Sequence, residues 1–406
     1  MPPEQISVAI PSCALDPASH DFESFLARFR GLVAWATALV GAGARRVTVV
    51  QRSEWEGRFA RNGVEFRFVR DGSVAGHVGP YWGRRLVPAL CATDPQVVHV
   101  DGFRSPLVVR HLRARLPRAA AIVVQDHGGI HAGSPGFDRR LWRAYHGVGT
   151  RSADGFLFTA REQSARWVRA GLIAAHQTVF EVPEASSDLV PPTTIEGRQP
   201  ASDASGGLPG RPALLWVGRL DANKDPLTVL AGFERATAAL PDAALTMVFA
   251  TGGLRAAVEA RIASTPALRG RVHLRGRVEH DVMAALYASA DLFVLGSHHE
   301  GSGYALIEAL AFGVTPVVTD IPSFRAITGQ GQCGALFRPD DAEALGSALA
   351  RLGSVAPPDA AMRRRAVAAY FKHALSWSAV GARAMASYTT AIEVRRSRVG
   401  SGARVL

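Results

Sequence analysis

The residues of this chain best suited to chemistry lie in one stretch, His298-His299-Glu300-Gly301-Ser302-Gly303-Tyr304-Ala305-Leu306-Ile307-Glu308, which runs on through Ala309-Leu310-Ala311-Phe312 to Gly313. It follows a short apolar run at 292–295, and residues 304–312 have helical propensity. The glycines stand where a strand turns into a helix. Without side chains there, backbone N–H groups at a helix N-terminus can approach an anion, and the helix dipole favours its charge. Glu300 sits in the loop, and Glu308 eight residues further on. Helical rise separates them by on the order of 10 Å. That is too far to share one proton or grip one metal ion. The pair suits an elongated ligand with hydroxyls at both ends and an anion between. Taken alone, the same spacing also fits a helix cap at Glu300 and a solvated Glu308.

A second stretch supplies the missing charge. Leu214-Leu215-Trp216-Val217-Gly218-Arg219-Leu220-Asp221-Ala222-Asn223-Lys224-Asp225-Pro226 reads as a buried strand ending in glycine, then a turn carrying two cations ahead of a helix. Arginine holds phosphate as a fork and lysine as a point charge. Only Lys224 and Lys372 are lysines among 46 basic residues, so bias toward arginine does not account for Lys224. Hydroxyls, diphosphate and hydroxyls in that order describe a nucleotide sugar.

Short β-branched runs alternate with amphipathic segments through both halves of the chain. They fall at 6–10, 47–51, 65–69, 97–101, 121–125, 155–159 and 178–182, and again at 213–217, 244–250, 272–274, 292–295, 315–319 and 335–337. The clearest helical pattern spans 21–40, with Phe22, Phe25, Leu26 and Phe29 on one face. This order predicts an α/β fold of two Rossmann-like, doubly wound parallel-sheet domains facing a central cleft. The expected division is an acceptor-side domain at 1–183, a Pro/Ser/Gly-rich linker at 184–211 and a nucleotide-sugar domain at 212–375. The periodic stretch at 376–406 is expected to cross back to the first domain.

The motif order G-R-L-x(3)-K-x-P at 218–226, then H-x-E-G-x-G-x(4)-E-A-L-A-x-G-x(2)-P-V-V at 298–318, resembles the retaining GT-B glycosyltransferases of family 4, the glycosyl transferases group 1. The likeness is strong over 213–337 and looser before it. It implies a hexosyl transfer from a nucleotide sugar, UDP-linked first and GDP-linked second, to a glycan, lipid-linked or small-molecule acceptor. It assigns Arg219 and Lys224 to the diphosphate and Glu300 to the sugar hydroxyls. Gly218 and the amides of Gly301, Ser302, Gly303 and Tyr304 fall to the sugar and phosphate, Glu308 to the ribose. Arg277, in the loop after 272–274, is placed against the base. Gln125-Asp126-His127-Gly128-Gly129 follows a strand of the first half; His127 resembles the family's histidine near the reacting sugar, and Asp126 is a weaker acceptor-side residue. One departure stands out: the turn Pro11-Ser12-Cys13-Ala14-Leu15-Asp16-Pro17 lacks the glycines that many members carry there.

No Asp-x-Asp stands in a suitable loop, and Asp340-Asp341 reads as a helix cap, so neither metal nor cofactor is expected; the nucleotide sugar is a co-substrate. A dinucleotide-dependent oxidoreductase needs G-x-G-x-x-G after the first strand, and that turn has no glycine. A nucleotide-sugar sensor, an epimerase or a phosphorylase of the same two-lobed shape stays open. With 406 residues, 48% of them apolar, the chain is long enough for two cores. No apolar run reaches the roughly 20 residues of a membrane span. The start has no basic segment leading an apolar one, and Cys13, Cys91 and Cys333 show no metal or disulfide pattern. A cytoplasmic protein is expected. The net charge of +11 is spread along the chain, which argues against a nucleic-acid partner. Residues 1–183 hold 23 arginines against 15 acidic residues, which suits peripheral contact with an anionic membrane at the inner face of the cell membrane.

Overall fold

The computed structural model describes residues 6–71, 81–128, 139–184, 186–189, 191, 207–250 and 252–402. It divides into two units, Met1–Ala185 with Trp377–Leu406, and Ser186–Ser376.

In the first unit the chain runs β1 (Ser7–Ser12), α1 (Phe22–Arg28), α2 (Arg30–Gly41), β2 (Arg46–Ser53), β3 (Gly57–Arg61), β4 (Val64–Arg70) and α3 (Leu86–Cys91). It continues β5 (Val97–Asp101), α4 (Pro106–Arg115), β6 (Ala121–Gln125), α5 (Arg139–Thr150), β7 (Gly155–Phe158), α6 (Ala165–Arg169) and β8 (Thr178–Glu181). The sheet order is β3-β4-β2-β1-β5-β6-β7-β8. Alternate residues of its strands feed cores on opposite faces. Val8, Ile10, Val97 and Val123 enter one core, while Ala9, Val98, Ile122 and Val124 enter the other. Strands buried on both faces have to be apolar throughout, which is why these runs do not alternate with polar residues.

Two local readings are corrected. The helix expected over 21–40 is two helices broken at Phe29, whose φ of −104° and ψ of 37° leave helical geometry. The unforeseen β3 pairs antiparallel with β4 through Asn62-Gly63, both at positive φ. An Asn-Gly pair is a strong signal for a tight hairpin, but most of β3 is exposed and carries no apolar pattern.

The second unit runs β9 (Ala213–Val217), α7 (Pro226–Ala236), β10 (Ala244–Val248), α8 (Arg255–Ser264), β11 (Val272–Gly276), α9 (His280–Ser289) and β12 (Leu292–Leu295). It continues α10 (Tyr304–Ala311), β13 (Thr315–Thr319), α11 (Pro322–Ile327), β14 (Ala335–Phe337), α12 (Ala342–Gly353) and α13 (Pro357–Ala374). Its all-parallel order, β11-β10-β9-β12-β13-β14, is the 3-2-1-4-5-6 order of a dinucleotide-binding sheet. The order reverses between β9 and β12, so the crevice for a ligand opens at their carboxyl ends. The final helix, α14 (Trp377–Gly402), belongs to the first unit. Gly381 lies so close to α2 that a Cβ there would stand 2.4 Å from the Ala38 carbonyl oxygen. Tyr388 is buried between Trp35, whose indole N–H donates to its hydroxyl at 3.3 Å, and His99 Nδ1 at 2.8 Å.

Candidate active site

At the switch point of the second unit, two loops far apart in sequence are tied together. The turn after β9 is folded on itself: Asp221 accepts from the Lys224 backbone N–H at 3.0 Å and from Arg219 Nε at 2.7 Å. Asp225, at a left-handed φ of 41°, caps α7 by accepting from Thr228 N at 3.1 Å, with Pro226 in the first turn. The loop after β12 closes against this turn. His298 N donates to the Asn223 carbonyl at 2.8 Å, and Asn223's side-chain amide exchanges hydrogen bonds with the His299 backbone at 3.0 and 3.1 Å. Only glycine fits at 296 without displacement, since a Cβ would press on the Asp225 carbonyl at 3.0 Å. This stitching brings Lys224 Nζ onto Glu300 Oε1 as an ion pair, with the two side chains 16% and 13% exposed.

The helix α10 is entered through Gly303, in left-handed geometry (φ 61°) and with no side chain of its own. A pocket of about 430 Å³ opens here. It gathers Gly218, Arg219, Lys224, Arg277, Glu300 and the turn Ser302–Gly303–Tyr304, with Phe249, Val278 and Met283 supplying apolar wall. Arg219 is 62% exposed in its pair with Asp221. Gly301 and Glu308 do not line the pocket. Glu308 is half-buried and accepts from the Tyr287 hydroxyl at 2.9 Å.

Lys224 and Glu300, expected to hold separate parts of a ligand, thus hold each other. Chemically the arrangement is a polarised slot: cations and a helix N-terminus for an anion, and a carboxylate beside them for hydroxyls. Asp341 is the cap expected of it, accepting from Ala344 N at 2.8 Å. Asp340 instead stands 3.6 Å from His298 Nε2, which is also 3.6 Å from Asp225 Oδ2. Among the described residues, Asp225, His298 and Asp340 form the group whose spacing would admit a metal ion.

In the first unit, His127 follows β6 and uses both ring nitrogens. Nε2 bonds the Asp101 carboxylate at the end of β5, and Nδ1 lies 3.1 Å from Glu184 Oε1. Burial disfavours its charge, but the hydrogen bonds and charges of Asp101 and Glu184 outweigh that and push its pKa up to about 11. It stays an imidazolium through the neutral range. With both nitrogens occupied it serves as a fixed positive group, not as a base. At Asp101, 40% exposed at the end of β5, desolvation pulls the carboxyl up, yet the hydrogen bond and charge of His127 hold it below the usual range. Behind it, burial pushes His99 down to about 4, so that ring is neutral. Asp126 is pushed upward by burial, against the pull of Arg166 at 3.2 Å. Glu184, assigned to a linker from composition, is a buried partner of His127 in the first unit. Gly129 and most of the linker at 184–211 lie outside the described residues.

Asn223, Tyr287, Asp101 and Glu184 contact the candidate residues and were not picked out by the sequence. The first signal was available, an asparagine inside a cationic turn. The others depend on pairings across strands.

Two α/β units, the second an all-parallel 3-2-1-4-5-6 sheet with a cationic slot at its switch point, fit the GT-B fold, and solved structures agree. Sucrose-phosphate synthase from Thermosynechococcus elongatus superposes with a TM-score of 0.60 at 19% identity, covering 95% of this chain and 99% of that one. A glycosyltransferase from Rickettsia africae gives 0.64 at 15% identity, covering 96% and 99%. Residues 211–354, most of the second unit, match the family model of the glycosyl transferases group 1, so this unit is a domain of that family. Among curated proteins, the GDP-mannose:cellobiosyl-diphosphopolyprenol alpha-mannosyltransferase of Xanthomonas oryzae pv. oryzae is 29% identical over 188 residues, 46% of this chain and 49% of that protein. The phosphatidyl-myo-inositol mannosyltransferase of Mycolicibacterium smegmatis is 30% identical over 181 residues, 44% and 45%. The chain spans about half the length of the curated relatives it matches.

Proposed function

We propose that this chain is a retaining glycosyltransferase that moves a hexose from a nucleoside-diphosphate sugar, held in the second unit, to a glycan, lipid-linked or small-molecule acceptor. The observation that carries the reading is the Lys224–Glu300 pair at the β9/β12 switch point, inside a pocket with Arg219 and the glycine-led start of α10. When the diphosphate enters, the ammonium turns to phosphate and the carboxylate to sugar hydroxyls. The bond from anomeric carbon to diphosphate oxygen breaks as the acceptor oxygen bonds that carbon on the same face. The acceptor proton passes to the leaving phosphate oxygen. The protein's part is electrostatic: fixed donors stabilise charge growing on the diphosphate.

These fixed charges do the work that a cation would do, so the reaction runs without metal. A thermal-shift panel of UDP, GDP and their sugars, repeated in excess chelator, tests both statements. A nucleoside diphosphate at a hundred times its Kd stabilises by about 2.7 kcal/mol, a rise of roughly 5–10 °C. The same rise is expected with chelator. No response to any diphosphate removes the proposal, and a response restored only by Mn²⁺ removes metal independence. The panel also separates UDP from GDP. Product analysis sets transfer apart from sensing, epimerisation or phosphorolysis.

The acceptor reading extends to the membrane. No helix among the described residues is long and apolar enough to cross one. The arginine excess of residues 1–183 supports peripheral attachment to anionic lipid, as suits a lipid-linked acceptor. Co-sedimentation with vesicles should rise with anionic lipid and fall with salt; binding indifferent to both would remove this part.

A further inference from the structure

We propose that Tyr287 is a positioning residue for the nucleoside of the donor: its phenol fixes the rotation of the Glu308 carboxylate, so that the ribose hydroxyls meet that carboxylate in a single orientation. This rests on the reading of Glu308 as the ribose anchor.

Glu308 lies on α10, one face of which is buried, and a glutamate there keeps three rotatable side-chain bonds. The Tyr287 hydroxyl, 2.9 Å away, restricts them. For such a restraint to act on a ligand, the tyrosine itself has to be immobile, and it is. Tyr287 is 0% exposed, in the last turn of α9. Its ring packs with Phe293 of β12 at 6.2 Å and with Phe312, just past α10, at 5.8 Å between centroids. The end of α9 is clamped by Arg364 of α13, a residue only 6% exposed. Arg364 Nη2 donates to the carbonyls of Tyr287 and Ala288 at 3.1 and 3.0 Å, and Nη1 to that of Ala290 at 2.6 Å. Three elements thus hold the ring, and its one polar atom is spent on the carboxylate. Burial, then the charge and hydrogen bond of Glu308, raise the phenol well above its ordinary pKa, so it donates its proton at any working pH.

A buried tyrosine also needs a partner for its own hydroxyl, and a purely structural bond would serve that need without touching nucleotide choice. The test separates the two roles. Dissociation constants are measured by calorimetry for the preferred ribonucleoside diphosphate and its 2′,3′-dideoxy counterpart, with wild type, Glu308→Ala and Tyr287→Phe. Wild type is expected to prefer the ribose form by roughly tenfold or more, the scale of a hydrogen bond to a charged group. Glu308→Ala should bring the ratio near one. Tyr287→Phe should cut it severalfold, with a cooperative melting transition retained. A structural role would weaken both ligands alike and leave the ratio at its wild-type value, which overturns the inference while the ribose reading stands. A wild-type ratio near one, or one unmoved by Glu308→Ala, overturns the ribose reading itself. Should Tyr287→Phe not fold, Tyr287→Leu, which likewise lacks a donor, is measured on the same ratio: a value below wild type supports positioning, and an unchanged value overturns it.

Discussion

Glu300→Gln is expected to lower turnover on the order of 100-fold, the scale seen when one preorganised polar group is removed from a transition-state site, while affinity for the free nucleoside diphosphate holds or rises. The two effects should diverge because of the pair seen in the structure. The Lys224 ammonium is bonded to the Glu300 carboxylate, and both side chains are largely buried. An incoming diphosphate competes with that carboxylate for the lysine. An amide at 300 competes less and repels the anion less, so the diphosphate gains. The sugar loses a charged acceptor for its hydroxyls, and that interaction matters most as positive charge grows on the ring. Single-turnover rates and calorimetry with free UDP or GDP check both arms. Turnover and diphosphate affinity falling together would place Glu300 in general site integrity and remove its sugar role.

Lys224→Ala produces the complementary result. A hydrogen bond to a charged group is worth about 1.5–3 kcal/mol, so diphosphate affinity should fall roughly 10- to 100-fold. The variant also leaves the Glu300 carboxylate largely buried without its ammonium, which costs stability. The melting temperature should drop, and adding Glu300→Gln to Lys224→Ala should recover part of that drop, since the uncompensated charge is gone. Additive losses in the double variant would mean that the two residues do not act as a pair. Diphosphate affinity equal to wild type would end the phosphate role of Lys224. Arg219 keeps its own share of the diphosphate in this variant, so the loss is expected to be partial.

Much of this site could be read in the chain. The turn Gly218–Pro226 and the run from His298 to Gly313 announce themselves, because glycine, lysine and glutamate at strand ends have few structural reasons to be there. Most strands read correctly for a related reason: strands buried on both faces must be apolar, and short apolar runs are visible without neighbours. What escaped had no such local mark. The exposed strand β3 carried no hydrophobic pattern, and its Asn62-Gly63 turn was the signal that went unused. The break at Phe29 was hidden because the apolar spacing continues across it. Glu184 sits in a Pro/Ser-rich stretch, and composition says nothing about a buried ion pair with His127.

The sequence by itself determined the kinds of groups available: two cations after one strand, two carboxylates around a glycine turn after another, and a histidine after a third. Tertiary structure decided which of them meet. Lys224 and Glu300 are 76 residues apart, and they touch because β9 and β12 are neighbours in a sheet whose order reverses there. His127 became a fixed cation only when Asp101 and Glu184 closed on its two nitrogens. Residue type sets what a side chain can do. Its charge state and its partner are set by burial and by which strand lies alongside, and parallel pairing through long crossovers leaves no trace of that choice in local spacing.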